Sequence, residues 1–340
     1  MPRFGNRSEV VATLRKRIVI LHEIADPAWR WVSQHMPEYD WQFVRAPAAS
    51  GTVANRIARL GAALQASCAG RTADLVISFG AGLGGALELG RHMLRVKAPH
   101  VCYYLNFDHL PVGLRRGRQA RLYKTINCFV VSATVERDIY AAHFGIDPAR
   151  INVILWGVNA PIASDMPPPH SDYVCAVGGN ARDYSMLMKV AAARPDMRFV
   201  VVARPENLTT LAIPANVTTL CNIPYPDAMA IVQGARVMAL PLISTDTPCG
   251  HVTIVSAYYL GTPLVITGST GVEDYVKDGE TGLITLAGSA EAMGAAIDRL
   301  WNDAALANRI SIAAKAFAYA NCTEANYPAH VRALLARPGA

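Results

Sequence analysis

The chain has 340 residues, of which 52% are apolar and 17% are charged, with a formal net charge of +6. This length exceeds one ordinary domain and predicts two, each large enough to bury its own core. The composition excludes a disordered or fibrous chain and favours sheets that are buried on both faces beneath helices. The positive charge favours an anionic partner, such as a phosphate, an acidic lipid or a nucleic acid, without choosing among them.

The N-terminal segment and the cysteines predict a cytoplasmic protein. Residues 1–17 are basic and lack the apolar core of a secretory signal. No uninterrupted apolar run reaches the ~18 residues that a membrane span requires. The seven cysteines form no CxxC pair, and several lie in apolar runs, which predicts reduced thiols that are mostly in the core.

The first half alternates short apolar runs with segments of helical spacing. We place helices near residues 54–68, 83–96 and 134–144. This alternation is typical of a doubly wound, Rossmann-like α/β domain, which we assign to residues 1–160. The runs that predict its buried parallel strands lie at 17–21, 74–79, 100–105, 126–131 and 151–156.

A proline-rich segment separates this domain from a second one. Residues 160–172 contain four prolines and interrupt the alternation, as expected for an extended connection between domains. We expect a second Rossmann-like domain over residues 161–315, and a C-terminal helix, about residues 316–340, that packs back on the first domain. The runs that predict the second set of strands lie at 173–178, 198–203, 217–220, 236–242 and 263–267.

Two such sheets are expected to face each other across a cleft, because doubly wound sheets bind ligands at the carboxyl ends of their strands. In the first domain, Asn106, Phe107, Asp108 and His109 follow a strongly apolar strand. Asp108 and His109 are therefore candidates to orient a hydroxyl group of a ligand that binds on this side of the cleft. The alternative is structural: the aspartate caps the next turn and the histidine packs on it.

Residues 250–285 contain the clearest signal for an anion site. Gly250 opens a predicted helix and permits close approach of a ligand to the backbone. The amides of Gly250, His251, Val252 and Thr253 would lie at the positive end of this helix, where a diphosphate or a sugar hydroxyl can bind.

This segment resembles the donor-binding signature of family-4-type retaining glycosyltransferases, which have the two-domain GT-B architecture. A second match, residues 177–184, is similar to the glycine turn after the first strand of the family's donor domain. The resemblance covers most of the second half, and the first half matches only in its layout and in the loop 103–111. The matching residues of the signature are Gly250, Thr253, Ala257, Gly261, Pro263, Gly271, Asp274, Tyr275, Asp278, Gly279 and Gly282.

The chain departs from the family at one acidic pair. Many members carry two glutamates eight residues apart, the first near the donor sugar and the second on the ribose. Pro248 and Ser256 stand at these positions here. The chain resembles instead a subgroup with a Gly-x-x-Thr pattern, and Ser256 is a candidate to hydrogen-bond a ribose hydroxyl.

The resemblance implies roles for two loops of the second domain. The family places a phosphate-binding cation at the glycine turn, which here contains Gly178, Gly179, Asn180 and Arg182. The Arg182 guanidinium can form paired hydrogen bonds to a diphosphate and stabilise the leaving nucleotide, and a surface ion pair is the alternative. We expect the neighbouring Asp183 to cap a helix.

The second loop follows the strand at 217–220, where the family holds the nucleobase. Asn222, Ile223 and Tyr225 occupy that loop. The resemblance assigns them to the base, and an ordinary connecting loop is the alternative.

A basic cluster after the loop at 103–111 predicts contact with an anionic lipid or a lipid diphosphate. A solvated helix face is the alternative. No aromatic and basic pattern of an RNA- or DNA-binding module accompanies the cluster, so we expect no nucleic-acid partner. Its cations are Arg115, Arg116, Arg118, Arg121 and Lys124.

Together these features predict a retaining glycosyltransferase. The second domain would bind a nucleotide-sugar and the first a glycan, glycolipid or small-molecule acceptor, in cell-surface polysaccharide or glycolipid synthesis at the inner face of the membrane. The donor is a substrate, so no cofactor is expected. No DxD triad follows a strand, which predicts metal-independent transfer with Arg182 and the helix start at Gly250 supplying the positive charge.

Two other functions fit the same architecture. One is a catalytically silent, glycosyltransferase-like binding subunit that lost its chemistry with the glutamate pair. The other is a nucleotide-sugar epimerase, which needs carboxylates in the cleft for proton transfer, and Glu273 and Asp274 are the candidates for that role.

Overall fold

Within the residues that it describes, the computed structural model contains two parallel six-stranded sheets, each covered by helices on both faces. It describes residues 15–24, 26, 28–47, 52–107, 110–243 and 248–336. Each sheet has the doubly wound order, so the predicted pair of Rossmann-like domains is confirmed.

The first sheet has the order β2-β1-β3-β4-β5-β6, with all strands parallel. Five of its strands match predicted apolar runs. The edge strand β2 was not predicted, because charged residues at both ends and a central glutamine interrupt its apolar pattern. The strands are β1 (Arg17–His22), β2 (Asp40–Arg45), β3 (Leu75–Phe79), β4 (His100–Tyr103), β5 (Cys128–Val131) and β6 (Ile151–Val153).

The second sheet has the order β12-β11-β10-β7-β8-β9 and is also parallel throughout. Its edge strand β12 was not predicted, since only three residues form it. The strands are β7 (Val174–Val177), β8 (Phe199–Ala203), β9 (Val217–Cys221), β10 (Val237–Leu240), β11 (Leu264–Thr267) and β12 (Leu283–Thr285).

Ten α-helices cover the two sheets within the described residues. The first four form one outer layer of the first domain and pack side by side in chain order. They are α1 (Thr52–Gly70), α2 (Ala81–Leu94), α3 (Gly113–Tyr123), α4 (Thr134–Phe144), α5 (Tyr184–Ala192), α6 (Tyr225–Gln233), α7 (His251–Leu260), α8 (Ala290–Asn302), α9 (Ala304–Asn321) and α10 (Asn326–Leu335). In the described part of the chain, no helix has the length and apolar character that crossing a bilayer requires.

The C-terminal helix α10 packs on the first sheet. Tyr327 and Val331 are fully buried against the face that also holds Trp31. The hydroxyl of Tyr104 donates to the hydroxyl of Tyr327 at 2.7 Å. The preceding helix α9 packs on α7 and runs to Asn321, so the segment that returns to the first domain begins at Asn326, whereas the sequence placed it from about 316.

The chain crosses between the domains twice, and the two crossings lie side by side. The amide of Val158 donates to the carbonyl of Cys322 at 3.0 Å. The hydroxyl of Tyr259 donates to both of these residues' carbonyls, at 3.2 Å to Val158 and 2.9 Å to Cys322. The connection between the domains is therefore held, just before the proline-rich segment, by the C-terminal segment.

A buried polar network joins α2 to β3 and β4. The Glu88 carboxylate accepts from Arg91 Nη1 at 2.6 Å and from His100 Nδ1 at 2.7 Å, and the Ser78 hydroxyl donates to His100 Nε2 at 2.8 Å. Burial alone would raise the pKa of Glu88, but the His100 hydrogen bond and the Arg91 guanidinium outweigh it and lower the pKa to about 2. Burial lowers the pKa of His100, so its ring is neutral.

We expect Glu88→Gln to destabilise the protein by ~3–5 kcal/mol, because it leaves the buried Arg91 charge unpaired. The depressed pKa of Glu88 stabilises the fold above its ordinary value of 4.5, and this contribution is lost as the pH falls toward about 2. Urea unfolding across this range should show a steeper loss of stability for the wild type than for Glu88→Gln. The exposed Glu206→Gln serves as the control, and equal slopes for wild type and Glu88→Gln would contradict the assignment.

Candidate active site

A cavity of about 770 Å³ lies between the carboxyl ends of the two sheets, at the predicted cleft. The first domain lines it with the loop after β4 and with one residue after each of β5 and β6. The second domain contributes the loops after β7, β8 and β10 and the start of α7. The lining residues are Tyr104, Leu105, Asn106, Phe107, Ser132, Trp156, Gly178, Gly179, Asn180, Ala181, Arg182, Arg204, Ile243, Pro248, Cys249, Gly250, His251, Val252 and Thr253.

Two consecutive glycines after β7 make room for two arginines. Gly178 has φ +120°, and a Cβ there would lie 2.7 Å from Nη2 of Arg182. A Cβ at Gly179 would lie 2.9 Å from Nε of Arg204. The turn thus brings both guanidinium groups against the backbone at the cavity wall, which larger side chains would prevent.

Arg182 connects the glycine turn to the start of α7. Its guanidinium donates to the carbonyl of Asn180 at 2.6 Å and to the hydroxyl of Thr253 at 2.9 Å. Burial lowers the pKa of Arg182, although its ordinary value is so high that the side chain stays charged. None of the ion pairs among the described residues includes Arg182, so the surface ion pair considered as an alternative is not found.

The residue after Arg182 has the predicted structural role. Asp183 is the N-cap of α5, and its Oδ1 accepts from the amide of Met186 at 2.9 Å. This hydrogen bond fixes the start of α5 and the end of the glycine turn.

The start of α7 presents backbone donors to the cavity. Gly250 is the N-cap with φ +87°, and its carbonyl accepts from the amide of Thr253 at 3.0 Å. The amides of His251 and Val252 lie in the first turn of α7, where the helix offers no carbonyl partner to a backbone amide. They also lie at the positive end of the helix dipole. This geometry suits an anion in the cavity.

His251 is a neutral group in the cavity wall. Its ring is 6% exposed and stacks on Tyr275 with centroids 4.4 Å apart. Burial lowers the pKa of His251 to about 4, although the negative charge of Asp274 acts in the opposite direction and raises it. The imidazole is therefore uncharged at neutral pH, and its Nε2 has no hydrogen-bond partner among the residues that the structure describes.

Asp274 and Tyr275 hold the two domains together beside the cavity. The Tyr275 hydroxyl accepts from the amide of Trp156 at 2.8 Å and donates to the carbonyl of Ser132 at 2.7 Å. The Asp274 carboxylate accepts from the amide and hydroxyl of Thr134, at 2.5 and 3.0 Å. Asp274 thus caps the N-terminus of α4 from the other domain.

Four candidate residues for nucleotide binding do not line the cavity: Asn222, Ile223, Tyr225 and Ser256. The Ser256 hydroxyl donates to the carbonyl of Val252 at 2.8 Å and lies 3.2 Å from the hydroxyl of Tyr225. Tyr225 is 53% exposed. The candidates Asp108 and His109 lie outside the described residues.

The sequence interpretation did not single out Arg204, Tyr104 or Trp156 as residues of the cavity wall. Arg204 directly follows the apolar run that forms β8, which is the signal that could have identified it. Tyr104 and Trp156 lie in or directly after apolar runs, and their rings pack with centroids 4.4 Å apart. They form an aromatic surface on the first domain's side of the cavity.

Residues 182–317 match the model of the family described as glycosyl transferases group 1. This segment of the second domain is therefore similar to group 1 glycosyltransferases. The match begins at Arg182 and includes the start of α7. It therefore covers the Arg182 guanidinium and the helix N-terminus that line the cavity. A search of curated proteins gives no significant match.

The two domains together resemble solved structures over almost their full length. Sucrose-phosphate synthase from Thermosynechococcus elongatus has a TM-score of 0.71 at 15% identity, covering 95% of this chain and 100% of that one. HepE from Anabaena, solved with UDP and glucose, has a TM-score of 0.70 at 14% identity, covering 94% and 99%. A glycosyltransferase from Rickettsia africae gives 0.66 at 12% identity, covering 96% and 100%.

These comparisons confirm the predicted resemblance to glycosyltransferases, the GT-B fold and the predicted class of enzyme. The Gly-x-x-Thr subgroup and the retention of configuration stay predictions. The identities are low, so the structural neighbours show the fold alone.

We expect Tyr275→Phe to destabilise the contact between the second domain and the first domain. The change leaves the Trp156 amide and the Ser132 carbonyl without their partner, at a cost of ~1–3 kcal/mol. Urea unfolding would measure the loss, with Tyr319→Phe as the control because Tyr319 is 57% exposed. Equal stability of the two variants would show that the Tyr275 hydroxyl does not hold the domains.

Proposed function

We propose that this protein transfers a sugar from a nucleotide-sugar to an acceptor and retains the anomeric configuration. The observation that carries the proposal is the hydrogen bond from Arg182 to Thr253, which aligns a guanidinium with the amides at the start of α7. A diphosphate is the part of a nucleotide-sugar that such a group of donors binds. The cavity volume of about 770 Å³ is also in the range of small-molecule sites.

The structural neighbours support a nucleotide-sugar as the donor class. HepE of Anabaena has been solved with UDP-glucose as well as with UDP and glucose. We propose that the donor lies along the second domain, with its diphosphate at Arg182 and the α7 start, and that no cofactor takes part.

Retention would follow from a step on one face of the donor sugar. The bond from the anomeric carbon to the phosphate oxygen breaks as the bond to the acceptor oxygen forms, and the departing phosphate oxygen takes the acceptor's proton. Arg182 and the α7 amides would stabilise the charge that develops on the phosphate, in place of a metal ion. This scheme needs no nucleophile from the enzyme.

The acceptor would bind on the first domain's side of the cavity. Tyr104 and Trp156 present aromatic rings there, and Asn106 adds an amide. Aromatic faces with a few polar groups suit a glycan or the sugar of a glycolipid. Asp108 and His109 stay candidates to orient the acceptor hydroxyl.

We also propose that the first domain docks on an anionic lipid surface at the inner face of the membrane. Residues 52–124 contain eleven Lys or Arg and three Asp or Glu, a net charge of +8, whereas the whole chain has +6. The one acidic residue within α1, α2 and α3 is Glu88, which is buried. The positive charge of the protein is therefore concentrated on one helical layer.

The same layer exposes large apolar side chains. Val53 and Ile57, one turn apart on α1, are 68% and 65% exposed, and Leu60 and Leu64 continue the stripe. Leu114, at the start of α3, is 83% exposed beside the predicted basic cluster. Apolar residues among cations are typical of a surface that lies in the lipid interface, and a lipid-linked acceptor for glycolipid or cell-surface polysaccharide synthesis would be reached there.

The cavity argues against an epimerase. Its described lining includes no Asp or Glu, and Asp274 is engaged with Thr134 across the domains. Glu273 is exposed and does not line the cavity. A catalytically silent binding subunit would have the same cavity geometry as a transferase. Product analysis distinguishes these two functions.

We expect wild-type protein to be stabilised by nucleoside diphosphates in a thermal-shift panel of UDP, GDP and ADP and their sugars, because a ligand of the folded state raises the melting temperature. Arg182→Gln should weaken the best binder by ~10-fold or more, the loss expected for charge-assisted hydrogen bonds. Arg309→Gln, an exposed change on α9, is the control.

Product analysis then separates the three functions. Slow release of free sugar from the donor with its original anomeric configuration supports a retaining transferase. An isomerised donor without acceptor would identify an epimerase, and binding without any turnover would identify a silent subunit. Unchanged nucleotide affinity of Arg182→Gln would contradict the assigned donor site.

For the lipid surface, we expect the triple variant Arg115→Gln, Arg118→Gln, Arg121→Gln to lose ~10-fold or more in affinity for phosphatidylglycerol vesicles, at about 1 kcal/mol per cation. Cosedimentation at low salt would measure it. The matched control is Arg198→Gln, Arg299→Gln, Arg309→Gln, which removes the same charge from the second domain. Equal binding of both triple variants would refute the proposed surface.

A further inference from the structure

Arg204 is a second cation in the wall of the cavity. It follows the carboxyl end of β8, and its side chain lies along Gly179. A Cβ at Gly179 would lie 2.9 Å from Nε, 3.0 Å from Cδ and 3.1 Å from Cγ of Arg204. The missing side chain at Gly179 is what permits this position.

Asn207 fixes the backbone of Arg204 to the same turn. Its Oδ1 accepts from the amide of Arg204 at 3.3 Å, and its Nδ2 donates to the carbonyl of Gly179 at 2.9 Å. One side chain thus joins the loop after β8 to the glycine turn after β7. These hydrogen bonds hold the backbone of Arg204 beside the cavity, and its side chain lines the cavity.

The two arginines differ in how their donors are used. Arg182 donates to Asn180 and Thr253, so much of its guanidinium is engaged in holding the site together. The Arg204 guanidinium makes no hydrogen bond or ion pair to any described residue. Since the described cavity lining also includes no acidic residue, the charge of Arg204 is available to a ligand.

We propose that Arg204 is a second diphosphate-binding residue of the donor site. The proposal rests on the function proposed above, in which a nucleotide-sugar occupies this cavity. A diphosphate bears more than one negative charge, and the anchored Arg182 supplies only one positive charge. Arg204, whose side chain lies against Gly179, supplies a second positive charge. Its guanidinium can form paired hydrogen bonds to phosphate oxygens.

Binding measurements on four proteins test this role: wild type, Arg204→Gln, Arg204→Lys and Arg198→Gln. Arg198 is the matched control, because it is an exposed arginine at the opposite, amino end of β8. The probes are UDP, GDP and ADP, their monophosphates and nucleosides, inorganic pyrophosphate, and the pair UDP-glucose and UDP-glucuronate, all measured by calorimetry at one salt concentration.

We expect Arg204→Gln to lose ~10-fold or more in affinity for the diphosphates and pyrophosphate, with little change for the nucleosides. Arg204→Lys should recover part of the loss because it restores the charge without the fork of donors. Arg198→Gln should bind as the wild type does. The melting temperature without ligand shows whether a variant has lost its fold.

Three results would overturn the role of Arg204. Unchanged diphosphate affinity of Arg204→Gln would make it an ordinary solvated arginine. An equal loss for nucleosides would place it at the base, and a loss confined to UDP-glucuronate relative to UDP-glucose would assign it to a carboxylate on the sugar. If the wild type binds none of the probes, the proposed function fails, and this inference fails with it. If the wild type binds diphosphates and Arg204→Gln binds them equally well, only the role of Arg204 fails.

Discussion

The hydrogen bond between Arg182 and Thr253 is the interaction on which the candidate site depends. It joins two loops that are 71 residues apart in the chain. The two residues meet because β7 and β10 are neighbours in the sheet, so the loops that follow these strands emerge at the same edge. Breaking this bond would separate the guanidinium from the helix terminus, and neither alone distinguishes a diphosphate from other anions.

The arrangement of the two domains follows from a second set of contacts beside the cavity. Tyr275 binds backbone groups of the first domain through its hydroxyl and stacks on His251 through its ring. His251 in turn lies at the start of α7. The residues that hold the domains together are therefore in direct contact with the cavity wall, which couples the relative position of the domains to the shape of the site.

Charge is distributed unevenly between the two domains. The basic layer of α1, α2 and α3 lies on the outer helical face of the first domain, whereas the arginines of the cavity belong to the second. The two positive regions thus face different surroundings. The outer one has apolar neighbours such as Ile57 and Leu114, and the inner one has glycines and backbone amides. These neighbours suit a lipid surface and a diphosphate respectively.

The sequence by itself determined the two-domain fold and the residues at the start of α7, because apolar runs, glycine turns and the Asp183 cap are local patterns. It missed β2 and β12, whose short or interrupted apolar patterns give little periodic signal. The tertiary structure alone decided that Asp274 caps α4, that Glu88 pairs with His100, and that Arg204 lies on Gly179. Each of these contacts joins segments distant in the chain, and only the packed sheets bring them together.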